Sequence, residues 1–279
     1  MKNTANTRKL VESALLIAAA TVLGLFHIVE MPYGGSVTVA SMLPIVLIAY
    51  RHGTPWGLGC GFVYAVLQQL LGLKNLSYFT TWQSIVAVIV LDYLLAFALV
   101  GLGGVFRRTV RQQNLALVFG ALLVSVLRYA CHVIAGATVW AGLSIPTEAA
   151  LIYSFGYNAT YMIPETVVLV LAAYYLGSVL NLRSEQPKRL VAPRPEARTA
   201  DLLAVIAGLL AVVALAVDVS LIFGHMQNPE SGDFDITGLS VERFAGSFWM
   251  AVVILSAVAA VAIAVLLAVR RRMLRKSEN

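Results

Sequence analysis

Long apolar runs recur along the whole of this 279-residue chain and constrain its fold more than any other feature. A helix that spans a membrane needs about 20 mostly apolar residues. Eight segments approach or exceed that length, the second being short: 11–29, 37–50, 55–73, 83–106, 115–140, 149–180, 201–223 and 246–269. The sequence therefore predicts an all-α integral membrane protein with about eight transmembrane helices.

The composition supports a membrane location and argues against several other classes of protein. Hydrophobic residues make up 59% of the chain and charged residues only 12%, whereas soluble domains carry about 25% charged residues. A soluble domain, a disordered chain and a fibrous protein are all disfavoured. The net charge of +6 is assigned to cytoplasmic loops, so no nucleic-acid partner is expected. Cys60 and Cys131 lie inside apolar runs and are interpreted as small buried hydrophobic residues.

The basic residues predict how the helices are oriented. Nearly all of them precede the first helix or lie on alternate loops, whereas the opposite loops hold only Lys74 and Arg243. Cytoplasmic loops of membrane proteins are enriched in Lys and Arg. The pattern therefore predicts a multi-pass protein of the cell membrane with both termini in the cytoplasm.

A change of composition divides the chain into two parts. Residues 181–200 (NLRSEQPKRLVAPRPEARTA) are rich in proline and charge, which is typical of a linker. The linker separates a six-helix unit (1–180) from a two-helix transmembrane extension (201–279). The extension is almost free of polar groups within its helices except for Asp218, and its role is not indicated by the sequence.

Several polar and ionisable residues interrupt the predicted membrane helices. Such residues are costly in a membrane, so each suggests a function. The fourth, fifth and sixth predicted helices carry them: Asp92, Tyr93, Arg128, His132, Trp140, Tyr153, Tyr157, Asn158 and Glu165. All but Glu165 are predicted to meet in one pocket in the outer half of the membrane. Aromatic faces beside a carboxylate, an imidazole and an amide suit a small, flat, nitrogen-rich and partly cationic ligand.

These residues also have structural interpretations, which stay open from the sequence. Trp140 and the tyrosines suit an aromatic belt, Asp92 and Arg128 suit a charge pair between helices, and His132 and Asn158 suit interhelical hydrogen bonds. The loop EMPYGGS (30–36) is predicted to close over the pocket as a lid, and an ordinary tight turn is the alternative. Its candidate lid residues are Glu30, Tyr33, Gly34 and Gly35.

Residues 8–182 resemble the thiamine-specific substrate-binding (S) component of energy-coupling factor (ECF) vitamin transporters, the ThiT family. Three motifs carry the resemblance: Asp92-Tyr93, then Arg128-Tyr129-x-x-His132-x-x-Ala135-Gly136-x-x-x-Trp140, then Tyr153-Ser154-x-x-x-Asn158. The resemblance implies a six-helix fold that binds thiamine or a close analogue, with Trp140 stacking on the ligand. Asp92 replaces a glutamate of the family pattern, Arg128 replaces a lysine, and the Gly34–Gly35 pair stands where the family has a tryptophan.

The resemblance also implies partner proteins. Ala14 and Ala18 match an Ala-x-x-x-Ala pattern that docks a transmembrane coupling subunit, although small residues at this spacing also serve internal packing. The sequence holds no GxxxxGK[ST] phosphate-binding loop, so separate ATPase subunits are expected to supply the energy. Neither a cofactor nor a metal site is expected.

Two other functions remain as alternatives. One is a proton-coupled secondary carrier for a small nitrogenous cation, with Asp218 as the proton site. The other is a membrane enzyme that uses Asp92 and His132 as an acid–base pair. No HExxH motif, nucleophile elbow or carboxylate cluster supports catalysis, so the sequence predicts a transporter component and not an enzyme.

Overall fold

The computed structural model describes residues 2–31, 34–139, 147–190 and 246–278, together with 199, 200 and scattered helical positions between 202 and 221. Two predicted site residues, Tyr33 and Trp140, lie outside the described residues. The chain divides into two compact units, Met1–Leu190 and Val191–Asn279.

The first unit is built almost entirely from helices. Its described part contains six: α1 (Lys2–Leu25), α2 (Leu43–His52), α3 (Thr54–Leu71), α4 (Trp82–Arg107), α5 (Gln113–Val139) and α6 (Glu148–Val179). A short 3₁₀ segment, Leu73–Tyr78, precedes α4. Two small antiparallel ribbons complete it, β1 (His27–Glu30) with β2 (Ser36–Thr38) and β3 (Leu180–Asn181) with β4 (Lys188–Arg189). The sequence did not predict either ribbon.

The described residues include four helices long and apolar enough to cross a membrane. They are Trp82–Arg107, Gln113–Val139, Ala150–Val179 and Phe248–Leu274. Many of their large apolar side chains are exposed, as for Val126, Phe155 and Val258, which suits a surface facing lipid. An all-helical membrane architecture is thereby confirmed, whereas the count of eight crossings and the location of the termini stay predictions.

The second predicted membrane helix is shorter than expected. Residues 37 and 38 belong to β2, because β-branched Val and Thr favour extended backbone. The helix begins only at Leu43, with Pro44 in its first turn, where a missing N–H costs nothing. Ten residues rise about 15 Å, half of a hydrocarbon core of about 30 Å. Every residue from Leu43 to Tyr50 is buried, so α2 is a core element of the first unit and is shorter than a membrane-spanning helix.

Glycines allow α2, α3 and α4 to pack with their backbones in contact. A Cβ on Gly57 of α3 would lie 2.6 Å from the carbonyl oxygen of Gly101 in α4 and 2.8 Å from the Cα of Ala49 in α2. A Cβ on Gly61 would lie 2.6 Å from the carbonyl oxygen of Ala98. Small residues at such crossings bring helices close enough for tight packing in a membrane.

The chain after α6 folds back onto the helices. Arg51, at the end of α2, binds both carboxylate oxygens of Glu12 in α1 and donates to the Leu182 carbonyl at 2.7 Å. The Arg183 guanidinium donates to backbone carbonyls in the α4–α5 turn. Residues 181–190 were predicted as the start of the linker, yet they belong to the first compact unit. Arginines on both sides hold this segment in place, since Arg183 satisfies carbonyls at the end of α4 and after it, and Arg51 satisfies carbonyls of the segment itself.

The second unit contains the C-terminal helix, Gly246–Glu278. At about 50 Å, this helix is longer than the hydrocarbon core of a membrane. Its Ser256 hydroxyl lies 2.7 Å from Oδ2 of Asp218, the ionisable residue singled out in this part of the sequence. Asp218 is therefore hydrogen-bonded between helical segments of the same unit.

We expect the substitution Gly57→Ala to destabilise the first unit, because its methyl group would overlap backbone atoms of α2 and α4. Overpacking of this kind costs about 1–3 kcal/mol. The matched control is Gly59→Ala, two residues along α3, where a Cβ meets nothing within 4 Å. Thermal unfolding in detergent should show a lower midpoint for Gly57→Ala only. Equal midpoints for the two variants would contradict this packing.

Candidate functional site

Asp92 and Tyr93 lie on an irregular part of α4. Residues Ile89–Leu95 form a π-helical stretch between α-helical and 3₁₀ segments. π-Helical turns are rare in proteins, and those that occur often lie at functional sites. One extra residue in the turn changes the direction of the side chains that follow. The sequence alone did not indicate this irregularity.

Asp92 pairs with His132 of α5. The Asp92 Oδ1 atom lies 2.9 Å from His132 Nδ1, and the two side chains are only 19% and 10% exposed. With the carboxylate as acceptor, Nδ1–H donates this hydrogen bond, and the bond orients the imidazole ring. Among the described residues the other ring nitrogen, Nε2, is buried and has no hydrogen-bond partner. The pair therefore presents one oriented and unused polar atom.

Asn158 and Tyr161 of α6 form a second polar group close to His132. The Tyr161 hydroxyl donates to Asn158 Oδ1 at 2.6 Å, and Asn158 Nδ2 donates to the Ser154 carbonyl at 2.8 Å. The His132 and Tyr161 rings meet edge to face, with centroids 6.2 Å apart. The structure thus brings the predicted residues Asp92, His132 and Asn158 into one cluster across three helices.

A close approach of α5 and α6 positions these groups. The Ser154 hydroxyl donates to the Val133 carbonyl at 2.8 Å. A Cβ on Gly136 would overlap Ser154 Oγ and lie 3.5 Å from Asn158 Nδ2. Gly136 and Ser154 of the sequence motifs therefore bring α5 and α6 close together.

The predicted lid loop rests directly on α6. The Tyr157 hydroxyl donates to the Gly34 carbonyl at 2.8 Å. Gly35 has a φ of +90°, and a Cβ there would lie 2.6 Å from the Tyr161 ring. Both the backbone conformation and the contact require glycine. The loop is therefore packed onto the same face of α6 that carries Asn158.

Glu30 lies at the outer edge of the loop. Its carboxylate binds the Lys74 ammonium at 3.0 Å, and both side chains are more than half exposed. The hydrogen bond from Lys74 lowers the pKa of Glu30. Exposed ion pairs of this kind contribute little to stability. Glu30 therefore lies on the exposed edge of the loop.

Tyr93 and Tyr153 extend the aromatic surroundings. Asn75 Nδ2 donates to the Tyr93 hydroxyl at 2.9 Å, and the Tyr93 ring stacks on Phe97 with centroids 6.4 Å apart. Tyr153 stacks on Tyr157, with an interplanar angle of 9° and a centroid distance of 6.1 Å. Two stacked pairs thus flank the polar cluster, one on α4 and one on α6.

Arg128 is buried but points to different partners. Its Nη1 lies 2.8 Å from the Met42 sulfur, and its guanidinium carbon lies 4.4 Å from the centroid of the Phe97 ring. Such a stacking contact is a favourable cation–π interaction. The carboxylate of Asp92 is paired with His132 instead, and the described residues show no Asp92–Arg128 ion pair.

Three residues near the site were not among the residues predicted to line the pocket. Tyr161 and Asn75 contact predicted site residues, and Glu165 binds Thr38 of β2. Tyr161 and Glu165 follow the predicted residue Tyr157 at intervals of four, which places all three on one helix face. This spacing could have indicated both residues from the sequence. Asn75 lies in a 3₁₀ segment without sequence periodicity, so nothing in the sequence singled it out.

Ala14 and Ala18 lie on the exposed side of α1. Leu15 and Val22 on the same helix are 67% and 52% exposed. This placement does not match internal packing within the described part of the first unit.

In the described part of the chain, no group of three or more His, Cys, Asp or Glu side chains is arranged to hold a metal ion.

Comparisons with known proteins match the first unit. A family model described as thiamine transporter protein matches residues 10–182. The thiamine transporter ThiT of Bacillus subtilis (strain 168) is 36% identical over 193 residues, which cover 64% of this chain and 95% of that protein. The ThiT of Lacticaseibacillus paracasei is 27% identical over 161 residues, covering 54% of this chain and 74% of that protein.

A solved structure of ThiT from Listeria monocytogenes is also similar. It is 22% identical, with a TM-score of 0.49, over 62% of this chain and 94% of that one. The family match ends at residue 182, before the second compact unit begins. The resemblance expected from the sequence motifs is confirmed: this multi-pass membrane protein belongs to the thiamine transporter (ThiT) family.

Proposed function

We propose that the first unit is the substrate-binding component of an ECF-type vitamin uptake system. It captures thiamine or a close analogue from outside the cell and delivers it inward together with separate coupling and ATPase subunits. Family membership supports thiamine transport as the activity. The second unit, Val191–Asn279, is an extension whose role stays open.

The observation that carries this proposal is the Asp92–His132 pair with an unused imidazole nitrogen. Thiamine is a cation that also carries an aminopyrimidine ring. A buried carboxylate favours a cationic ligand, and the oriented His132 Nε2 atom offers a directional hydrogen bond to a ring substituent. Tyr153 and Tyr157, together with the predicted Trp140, supply flat faces for aromatic rings. Each of these features matches a different part of one small molecule.

The exposed side of α1 supports the need for a partner in the membrane. Ala14 and Ala18 present a surface of small side chains on which another helix can pack closely. Because the sequence has no GxxxxGK[ST] phosphate-binding loop, an ATP-driven uptake system needs other subunits for ATP hydrolysis. We therefore assign Ala14 and Ala18 to the docking of the coupling subunit.

The alternative functions have less support. The family consists of transporters, which disfavours a membrane enzyme built on Asp92 and His132. The proton-coupled carrier rests on Asp218, which accepts a hydrogen bond from Ser256 within the second unit. Uptake measurements distinguish a self-sufficient carrier from a component that needs ATPase subunits.

We expect Asp92→Asn to weaken thiamine binding while the protein stays folded. The amide keeps the shape of the side chain but loses the charge, and a hydrogen bond to a charged group contributes about 1.5–3 kcal/mol. In calorimetric titration, Asp92→Asn should therefore bind thiamine about 10- to 100-fold more weakly than the unsubstituted protein. Titration with thiamine diphosphate and the aminopyrimidine precursor identifies the preferred ligand. The matched control is Asp218→Asn, an aspartate in the second unit, which should bind as the unsubstituted protein does. No binding by the unsubstituted protein at millimolar ligand would refute the proposal.

The glycine pair gives a test of the lid. Gly35→Ala should weaken thiamine binding by at least about tenfold, because overpacking against Tyr161 costs about 1–3 kcal/mol and displaces the loop. Gly53→Ala is the control, since Gly53 has a φ of +94° but a Cβ there meets nothing within 4 Å. Both variants carry the strain of positive φ, and only the first carries the contact with the ring. Equal affinities in titration would show that the loop does not contribute to the pocket.

Transport should depend on other proteins. Proteoliposomes that hold this chain alone are expected to show no concentrative thiamine uptake, because the chain has no ATP-binding loop. Adding the coupling and ATPase subunits with ATP should start uptake. Replacing Ala14 and Ala18 by bulky Leu should abolish that uptake without changing thiamine binding. Uptake by the chain alone that follows a proton gradient would instead establish the secondary carrier.

A further inference from the structure

Glu165 is a buried carboxylate of α6 that does not belong to the predicted ligand pocket. The residue is only 2% exposed and lies within a helix of membrane-spanning length. A carboxylate in an apolar interior is costly unless hydrogen bonds or opposite charges compensate it. The partners of Glu165 therefore indicate what this residue does.

Both carboxylate oxygens of Glu165 bind Thr38, the last residue of β2. Oε2 accepts from the Thr38 backbone N–H at 2.5 Å, and Oε1 accepts from its hydroxyl at 2.7 Å. The Ser41 Oγ atom lies 2.8 Å from the Thr38 hydroxyl oxygen and is a second partner of that hydroxyl. Because Thr38 is only 6% exposed, Glu165 serves as its main acceptor in place of water.

This anchor is one of three contacts between α6 and the segment from Gly34 to Thr38. The contacts follow one another in the same direction along both elements: Tyr157 with Gly34, Tyr161 with Gly35, and Glu165 with Thr38. From Tyr157 to Glu165 the helix advances about 12 Å. Because Thr38 follows the glycine pair within one short segment, holding Thr38 restrains where the glycine pair meets the two tyrosines.

We propose that Glu165 is a positioning residue for thiamine binding, which acts by holding Thr38 so that Gly34 and Gly35 stay seated on α6. The proposal rests on the proposed function, since it concerns the loop of that same pocket. Glu165 does not itself touch the ligand. Without the anchor, the ligand-contacting side chains remain in place while the loop leaves the helix more often. The dissociation rate of thiamine therefore increases, while its association rate changes little.

The test compares thiamine kinetics for the purified full chain and its variants. Stopped-flow tryptophan fluorescence measures association and dissociation rates separately. Glu165→Ala should dissociate faster by at least about tenfold, because mutations of one interface act mostly on dissociation. Glu165→Gln retains one acceptor oxygen and should recover part of the difference. The matched control is Glu148→Ala, an exposed glutamate in the first turn of the same helix, which should keep both rates unchanged.

A double-mutant cycle separates positioning from a general loss of structure. Thr38→Val removes the hydroxyl but keeps the backbone N–H and the shape of the side chain, so it should accelerate dissociation less than Glu165→Ala does. In the double variant the effects should not add, because both substitutions break the same contact. Additive effects would overturn the proposal.

The outcomes also separate this proposal from the proposed function. If the unsubstituted chain binds no thiamine, the proposed function fails. If the unsubstituted chain binds but Glu165→Gln and Thr38→Val leave the dissociation rate unchanged, only the role of Glu165 fails. These two conservative variants decide the question if Glu165→Ala does not fold. A loss of affinity that arises from slower association, or an equal effect of Glu148→Ala, would likewise overturn the proposal.

Discussion

Polar side chains inside the first unit depend on one another, because a membrane offers no water to replace a missing partner. The Asp92–His132 pair and the Glu165–Thr38 contacts are the two clearest cases. Each joins elements that are distant in sequence, the first α4 to α5 and the second α6 to β2. A buried polar group without a partner costs more than a typical hydrogen bond contributes. These pairs therefore stabilise the observed arrangement of the elements around the site.

The site combines a rigid frame with a loop that rests on it. Glycines let the helices approach closely: Gly57 and Gly61 lie against backbone atoms of neighbouring helices, and Gly136 lies against the Ser154 side chain. The loop around Gly34 contacts α6 through the Tyr157 hydrogen bond, and Glu165 of the same helix binds Thr38. Under the proposed function, the ligand enters by displacing this loop. This division suits a component that captures a small molecule and later releases it.

Several parts of the architecture could be predicted from the sequence, and others could not. The apolar runs indicated the helices, and the rare residue types at regular spacing brought Asp92, His132 and Asn158 into one hypothesis. The same rules placed a short helix at 37–50, where the structure has β2 over the first residues and the buried α2 from Leu43. Apolar composition does not distinguish a segment buried in protein from one facing lipid, because both environments exclude water. The partner of Asp92 was also undecided, since His132 and Arg128 lie on one helix face four residues apart.

The sequence by itself determined the membrane class and the thiamine transporter family, and it supplied the predicted binding residues. These follow from local properties, namely the length of apolar runs and the residue types in short motifs. The tertiary structure decided which polar groups meet: His132 with Asp92, Arg128 with Phe97 and Met42, and Glu165 with Thr38. It also placed the glycine pair against Tyr161 and residues 181–190 against the helices. Such pairings depend on how helices cross in three dimensions, which the spacing of residues along one chain does not specify.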